Sequence, residues 1–534
     1  MIVVCSETGV EKSLDAARMS ACATMLNSNI VQLSRRRFAA TLAGSLGAAR
    51  LSAFPPRPKL LVLLVAEQFR SDYLTRFAGL FGPGGFRRLM EEGAFLPDCR
   101  MACSSFSATG LATIATGAYA DAHGIVAESW YDPASRAMIA ARAGLTQAAT
   151  LSDQVAAAGG NRVFAAATRR SRAELLVQSA PYAKVRHTVL ALDAPPDSAE
   201  EPDWVDSFRL SHSPDRFKNA NWHALQADPN APPLRVLVDD PARPDDFMAL
   251  YNASPFAQDT QFEFLRALLA EERLGQGATF DLLSVVLDSG ALLGYEVGAD
   301  SPLMREMILH LDRQIELTLE ALKKVPGAGN FGLVFTAAHG STGYPVRPID
   351  GSAVAIAIND ALSAAFDVSS VKNRYVERYV YPLVYLNHTQ LSRYDLDPRK
   401  ARRMAGEAAL RLAPGVAAYY TADGECSRTG EWLRRFQNSF HALRSGDLML
   451  AYEPNAVERY GAGLGISYGS LYNYDVQTPL LLYGPQFRAR AIETAVDAVD
   501  IAPTLARALH VAAPSSSSGR VLGEVFAADV KAPK

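Results

Sequence analysis

The chain has 534 residues, 49% hydrophobic and 20% charged, and its 53 basic and 56 acidic side chains leave a net charge of −3. That is the composition of an ordinary globular protein, long enough for a large core or for two to three domains. The near-neutral balance argues against nucleic acid as a main partner, because there is no basic excess to neutralise phosphates. No internal apolar run reaches the ~18 residues of a membrane span, so none is expected in the mature chain.

In chain order, residues 1–33 form a doubtful amino-terminal extension, with Met25 the expected start. The stretch SRRRFAATLAGSLGAARLSAF (34–54) places Arg35 and Arg36 before a moderately apolar run closed by small residues. This is the build of a twin-arginine-type export signal, and it predicts a periplasmic or extracellular protein. A linker follows at Pro55, Pro56 and Pro58. Apolar runs at 59–68, 162–168, 282–290, 332–338 and 479–484 are expected as buried parallel strands. Helices are expected over 107–120 with Ser107 as cap, over 301–322 with Ser301 as cap and Pro302 behind it, over 397–412 and over 500–509. The alternation predicts an α/β fold, a doubly wound and mostly parallel sheet. The polar stretch 345–460 breaks this rhythm and is expected as a cap-like inserted subdomain, so that the core spans 58–344 and is completed by 461–527. A flexible loop is expected at 512–520. Of five cysteines, Cys99, Cys103 and Cys426 follow the signal; their spacing suits burial or a single bridge better than a metal site.

Chemistry in an open α/β sheet gathers beyond the carboxyl ends of its strands. Glu67 ends the first run, Ser107 opens a helix whose dipole favours an anion, and His339 ends VFTAAH, after Ala337 and Ala338. Arg170 and Arg172 follow another strand and suit bidentate capture of an anion. His123 is a further histidine whose default role is structural. GISYG (465–469) matches the G-x-S-x-G nucleophile elbow, but it lies among Gly461 and Gly463 rather than between a strand and a helix, and is rejected.

The blocks LLVLLVAEQFRSDYLTRF, SSFSATGLATIATGAYADAHGIVAESWYD, DLLSVVLDSGALLGYEVGADSPLMREMILHLDRQI, FTAAHGSTG, GSLYNYDVQTPLLLYGPQF and DIAPTLARAL resemble, in this order, the alkaline phosphatase superfamily in its type I phosphodiesterase/nucleotide pyrophosphatase branch. The resemblance implies a nucleophile and two zinc ions held by Asp and His ligands. Carried over residue by residue, it places the nucleophile at Ser107 and metal ligands at Glu67 and His339. The remaining ligand positions are lost, at Ala338, at Ala291 and Tyr295, and at Tyr468 or Gln477. Asp288 lies three residues before Ala291, a shift expected to change its direction. The phosphate-contacting position falls near Glu128, whose charge opposes a phosphate, and a monoester-binding basic pair falls at Arg170 and Arg172. The expected protein is an exported pseudoenzyme with no cofactor or at most one weakly bound zinc, and its partner is a small anionic or phosphorylated ligand. Without metal, Ser107 is expected to lack an adjacent base. Two alternatives stand beside this: a one-metal phosphate-ester hydrolase or transferase using Ser107, and an extracytoplasmic binding or interaction protein. The oligomeric state stays open.

Overall fold

The computed structural model describes residues 56–527 except 160–161, 183–186, 194–200, 227, 229, 344, 368–372 and 459–467. The extension 1–33, the expected export signal 34–54 and most of GISYG therefore lie outside the described residues. Thirteen of the strands organise the fold: β1 (Leu60–Gln68), β2 (Ala94–Arg100), β3 (Val163–Ala167), β4 (Thr188–Ala191), β5 (Asp281–Leu287), β6 (Phe331–His339), β7 (Val376–Val380), β8 (Leu383–Leu386), β9 (Val416–Thr421), β10 (Leu448–Tyr452), β11 (Gln477–Tyr483), β12 (Arg490–Ala491) and β13 (Val496–Asp497). The main sheet runs β12-β2-β11-β6-β1-β5-β3-β4, with β13 also on β2. The strands β6, β1, β5, β3 and β4 are mutually parallel.

The central strands are uniformly apolar because both faces are covered. Leu61, Leu63 and Val65 enter one core while Leu60, Val62 and Leu64 enter the other. This is the doubly wound α/β arrangement expected. The run at 479–484 is the exception within the sheet: β11 is antiparallel to both β6 and β2. A strand buried on both faces carries no alternation and no mark of direction, so its sequence could not tell parallel from antiparallel.

The helices that matter for the site are α1 (Ser107–Thr116), α2 (Arg170–Val177), α3 (Ser289–Val297) and α4 (Pro302–Leu322). The Ser301 hydroxyl accepts the Met304 N–H at 3.1 Å, and Pro302 occupies the first helical turn, as anticipated. Ser107 is not a cap. It is the first helical residue, Phe106 precedes it in extended conformation, and the serine side chain is used elsewhere.

Strands β7, β8, β10 and β9, in that order, make a second, antiparallel sheet within 345–460. Val384, Leu386, Leu448 and Leu450 pack on α5 (Gly351–Phe366) and α6 (Pro398–Leu412) through Val354, Ile358, Ala401 and Ala405. Leu383, Tyr385, Met449 and Ala451 point the other way, into the main core with Phe436. The second sheet is thus layered onto the first through a shared core. The segment 512–520 is tied down rather than loose: Ser518 N–H donates to Gly117 O, and Arg520 N–H to Asp500 Oδ1 at 2.7 Å. Backbone hydrogen bonds to neighbouring segments, rather than a regular element, hold it in place, which composition reads as flexibility. Cys99, Cys103 and Cys426 are free thiols.

Candidate functional site: a buried serine–histidine contact and a carboxylate–arginine network

Register brings the site together. Ala66 on β1 lies opposite Leu287 on β5 and Ala337 on β6, and Gln68 lies opposite His339. The next residues, Glu67, Asp288 and Ala338, therefore stand side by side at the carboxyl ends of three parallel strands. Helix α1 crosses directly onto this edge. A Cβ on Gly110 would lie 2.2 Å from Ala338 O, so only glycine permits the approach.

That approach sets Ser107 Oγ 2.8 Å from His339 Nε2, with both residues fully buried. His339 Nδ1 is 2.7 Å from Gly340 O. A carbonyl can only accept, so Nδ1 carries the proton and Nε2 receives the hydrogen bond of the serine hydroxyl. Ser107 accordingly has an adjacent nitrogen base, contrary to expectation; its partner lies 232 residues away in sequence. Burial pushes the imidazole down to about 4, which keeps it neutral and makes it a weak base. The Tyr468 ring stacks on His339 at 4.3 Å between centroids and 24° between planes. The pair is covered rather than presented.

Around it lies a network of three carboxylates and two guanidiniums. Arg169 joins the two strand-end carboxylates: Nη2 donates to Glu67 Oε2 at 2.7 Å and Nε to Asp288 Oδ2 at 2.9 Å. Arg172 places Nε 2.8 Å from Glu67 Oε1, an ion-pair contact without hydrogen-bond alignment, and Nη2 2.8 Å from Glu128 Oε2. Glu128 Oε1 in turn accepts the Ala108 N–H at 3.0 Å. Desolvation raises Glu67 to about 7 despite both guanidiniums.

Above this floor opens a cavity of about 320 Å³ walled by Phe106, Tyr295, Tyr381 and Tyr468, with Glu128 at its side. A larger cavity of about 520 Å³ lies between α5 and β7, apart from the strand ends. There Arg374 donates to the edge carbonyls of Val376 and Glu377, which blunts the strand edge.

The structure gathers Glu67, Ser107, Glu128, Arg172, His339, Ala338 and Tyr468 into one place, and it puts Tyr295 on the cavity wall. Arg170 is not among them. It turns to Glu174 at 3.1 Å, Glu201 at 3.4 Å and Val189 O at 3.2 Å. Arg169, the extended residue just before α2, and Arg172 in its first turn both reach the strand ends, while Arg170 is turned away. Asp288 belongs to the site after all, because register rather than distance in sequence sets its neighbours. Ala291 is buried one turn into α3. His123 keeps its structural role, 3.0 Å from Thr113 Oγ1 and accepting the Ile125 N–H. Phe106 and Tyr381 carried no sequence signal, since an aromatic beside a core is ordinary.

A zinc pair needs two clusters of unprotonated donors. Among the described residues no group of three or more His, Cys, Asp and Glu is disposed to hold a metal ion. Glu67 and Asp288 face guanidinium groups, and both nitrogens of His339 are engaged. The donor set as arranged does not fit a two-zinc centre.

Residues 61–465 match the family model for type I phosphodiesterase/nucleotide pyrophosphatase. Alkaline phosphatase PhoV of Synechococcus elongatus is 23% identical, covering 89% of this chain and 94% of its own length. Alkaline phosphatase PafA of Elizabethkingia meningoseptica is 24% identical over 91% of this chain and 97% of its own. A crystal structure of PafA superposes with a TM-score of 0.78 at 22% identity, covering 88% of this chain and 99% of that one. Murine ectonucleotide pyrophosphatase/phosphodiesterase 5, in complex with AMP, does so with a TM-score of 0.55 at 15% identity, over 86% and 96% of the two chains. With a doubly wound sheet that superposes on PafA, and a family model that spans most of the sequence, this chain belongs to the type I phosphodiesterase/nucleotide pyrophosphatase family of the alkaline phosphatase superfamily.

Proposed function

We propose that this chain is an exported pseudoenzyme of its family, which has given up two-zinc phosphoryl transfer and retains a ligand pocket. The observation that carries the reading is the contact of Arg169 with both Glu67 and Asp288: fixed guanidinium charge compensates the strand-end carboxylates from within the chain. Ser107 is buried beneath Tyr468 and faces a histidine whose low basicity makes it a poor proton acceptor. At most one weakly bound zinc is expected. A small phosphorylated ligand is a second reading for the pocket, favoured by the AMP complex of the murine relative. Against it, both arginines already face carboxylates.

The test is purified protein assayed for zinc and for turnover of aryl phosphate mono- and diesters, with thermal unfolding followed with and without a chelator. Less than one tightly held zinc per chain, no appreciable turnover and an unchanged melting temperature are expected. Zinc-dependent hydrolysis abolished by Ser107→Ala would overturn the proposal in favour of the one-metal hydrolase or transferase.

A further inference from the structure

We infer that the aromatic cavity takes a small organic cation bearing an alkylated ammonium group. The inference deepens the pseudoenzyme reading by naming the ligand class of the pocket it leaves open. Three observations carry it.

The first is the lining. Phe106, Tyr295, Tyr381 and Tyr468 supply four rings, and among the described residues the cavity is lined by no lysine, arginine or histidine. The Phe106 ring stands at 62° to Tyr381 and 74° to Tyr468, with centroids 6.3 Å apart in each case. Rings at such angles form the adjoining walls of a box, where a stack would leave no room between them. Their negative faces attract a cation, and an alkylated ammonium loses little hydration on entering.

The second is charge. Glu128 stands on the cavity wall with its side chain 30% exposed, held in place by the Ala108 N–H and Arg172. Behind it, Arg169 is held by Glu67 and Asp288, and Arg172 by Glu67 and Glu128. Both guanidiniums point at carboxylates. Among the described residues, an entering anion would meet Glu128 and no unengaged cation on the cavity wall, whereas an ammonium would meet an oriented carboxylate. The third is size: about 320 Å³ lies at the low end of ligand sites, which suits a small molecule.

Calorimetric titration of the full chain with tetramethylammonium chloride, tert-butanol, AMP and inorganic phosphate, at constant ionic strength, tests the assignment. Saturable binding of tetramethylammonium, at least about tenfold tighter than tert-butanol, is expected. Glu128→Gln keeps an acceptor for the Ala108 N–H, and Tyr295→Leu alters only a half-buried wall. Each should weaken binding by about three- to tenfold while circular dichroism shows the fold intact. Equal affinity for tert-butanol, tighter binding of AMP or phosphate, or no saturable tetramethylammonium binding by folded protein would overturn the inference. Zinc content and phosphate-ester turnover measured on the same preparation report separately on the pseudoenzyme reading, so the failure of either is recognisable.

Discussion

At Glu67 two physical effects oppose each other, and burial wins. Two guanidiniums favour its charged form, yet desolvation at the strand end lifts it from 4.5 to about 7. The folded value lies above that of the free side chain, so the native state holds the proton more tightly. Its stabilising contribution is complete below about pH 4.5 and is lost as pH rises through about 7. Wild-type protein should therefore lose on the order of 2 kcal/mol of unfolding free energy relative to Glu67→Gln between about pH 4.5 and 8. The His339 shift has the opposite sign, with its penalty falling below its free value of 6.5, but it is common to both proteins and cancels in the difference. Urea unfolding of the pair at three pH values checks this, and a flat difference would refute it. At this scale the sequence was legible where a residue ends a strand: Glu67 and His339 could be placed. It was not legible where the turn from β3 into α2 decides which arginine reaches the strand ends, and Arg169 was missed in favour of Arg170.

Helix α1 depends on one absent side chain. Gly110 lets its backbone rest on Ala338, and the same approach brings Ser107 to His339. Gly110→Ala should cost about 2–3 kcal/mol, because the obstacle is a strand carbonyl, which cannot rotate away as a side chain does. Gly144→Ala is the control: nothing lies within 4 Å of its added Cβ, and a change within about 0.5 kcal/mol is expected. Equal losses for the two variants in denaturant titrations would mean that α1 is not seated as described. Element existence was readable from apolar runs and caps, as at Ser301 and Pro302. Strand direction was not, as β11 illustrates: its neighbours, rather than its own residues, set its sense.

For the whole molecule, the sequence predicts export through the twin-arginine route, from Arg35 and Arg36 before a modestly apolar run. Changing both to lysine should leave the precursor in the cytoplasm, as fractionation would show; unchanged secretion would defeat the prediction. No described helix is long and apolar enough to cross a membrane. By itself the sequence determined the doubly wound sheet, the strand-end positions of Glu67 and His339, and the place of Ser107 at the start of a helix, because these follow from local apolar patterning and residue identity. Only the tertiary structure decided that Asp288 stands beside Glu67, that Arg169 joins them, that Tyr468 covers the serine–histidine pair, and that four distant aromatics enclose one cavity. Those facts rest on strand register and the turns between elements, which bring together residues hundreds of positions apart, and no local pattern encodes which long-range partner a side chain will meet.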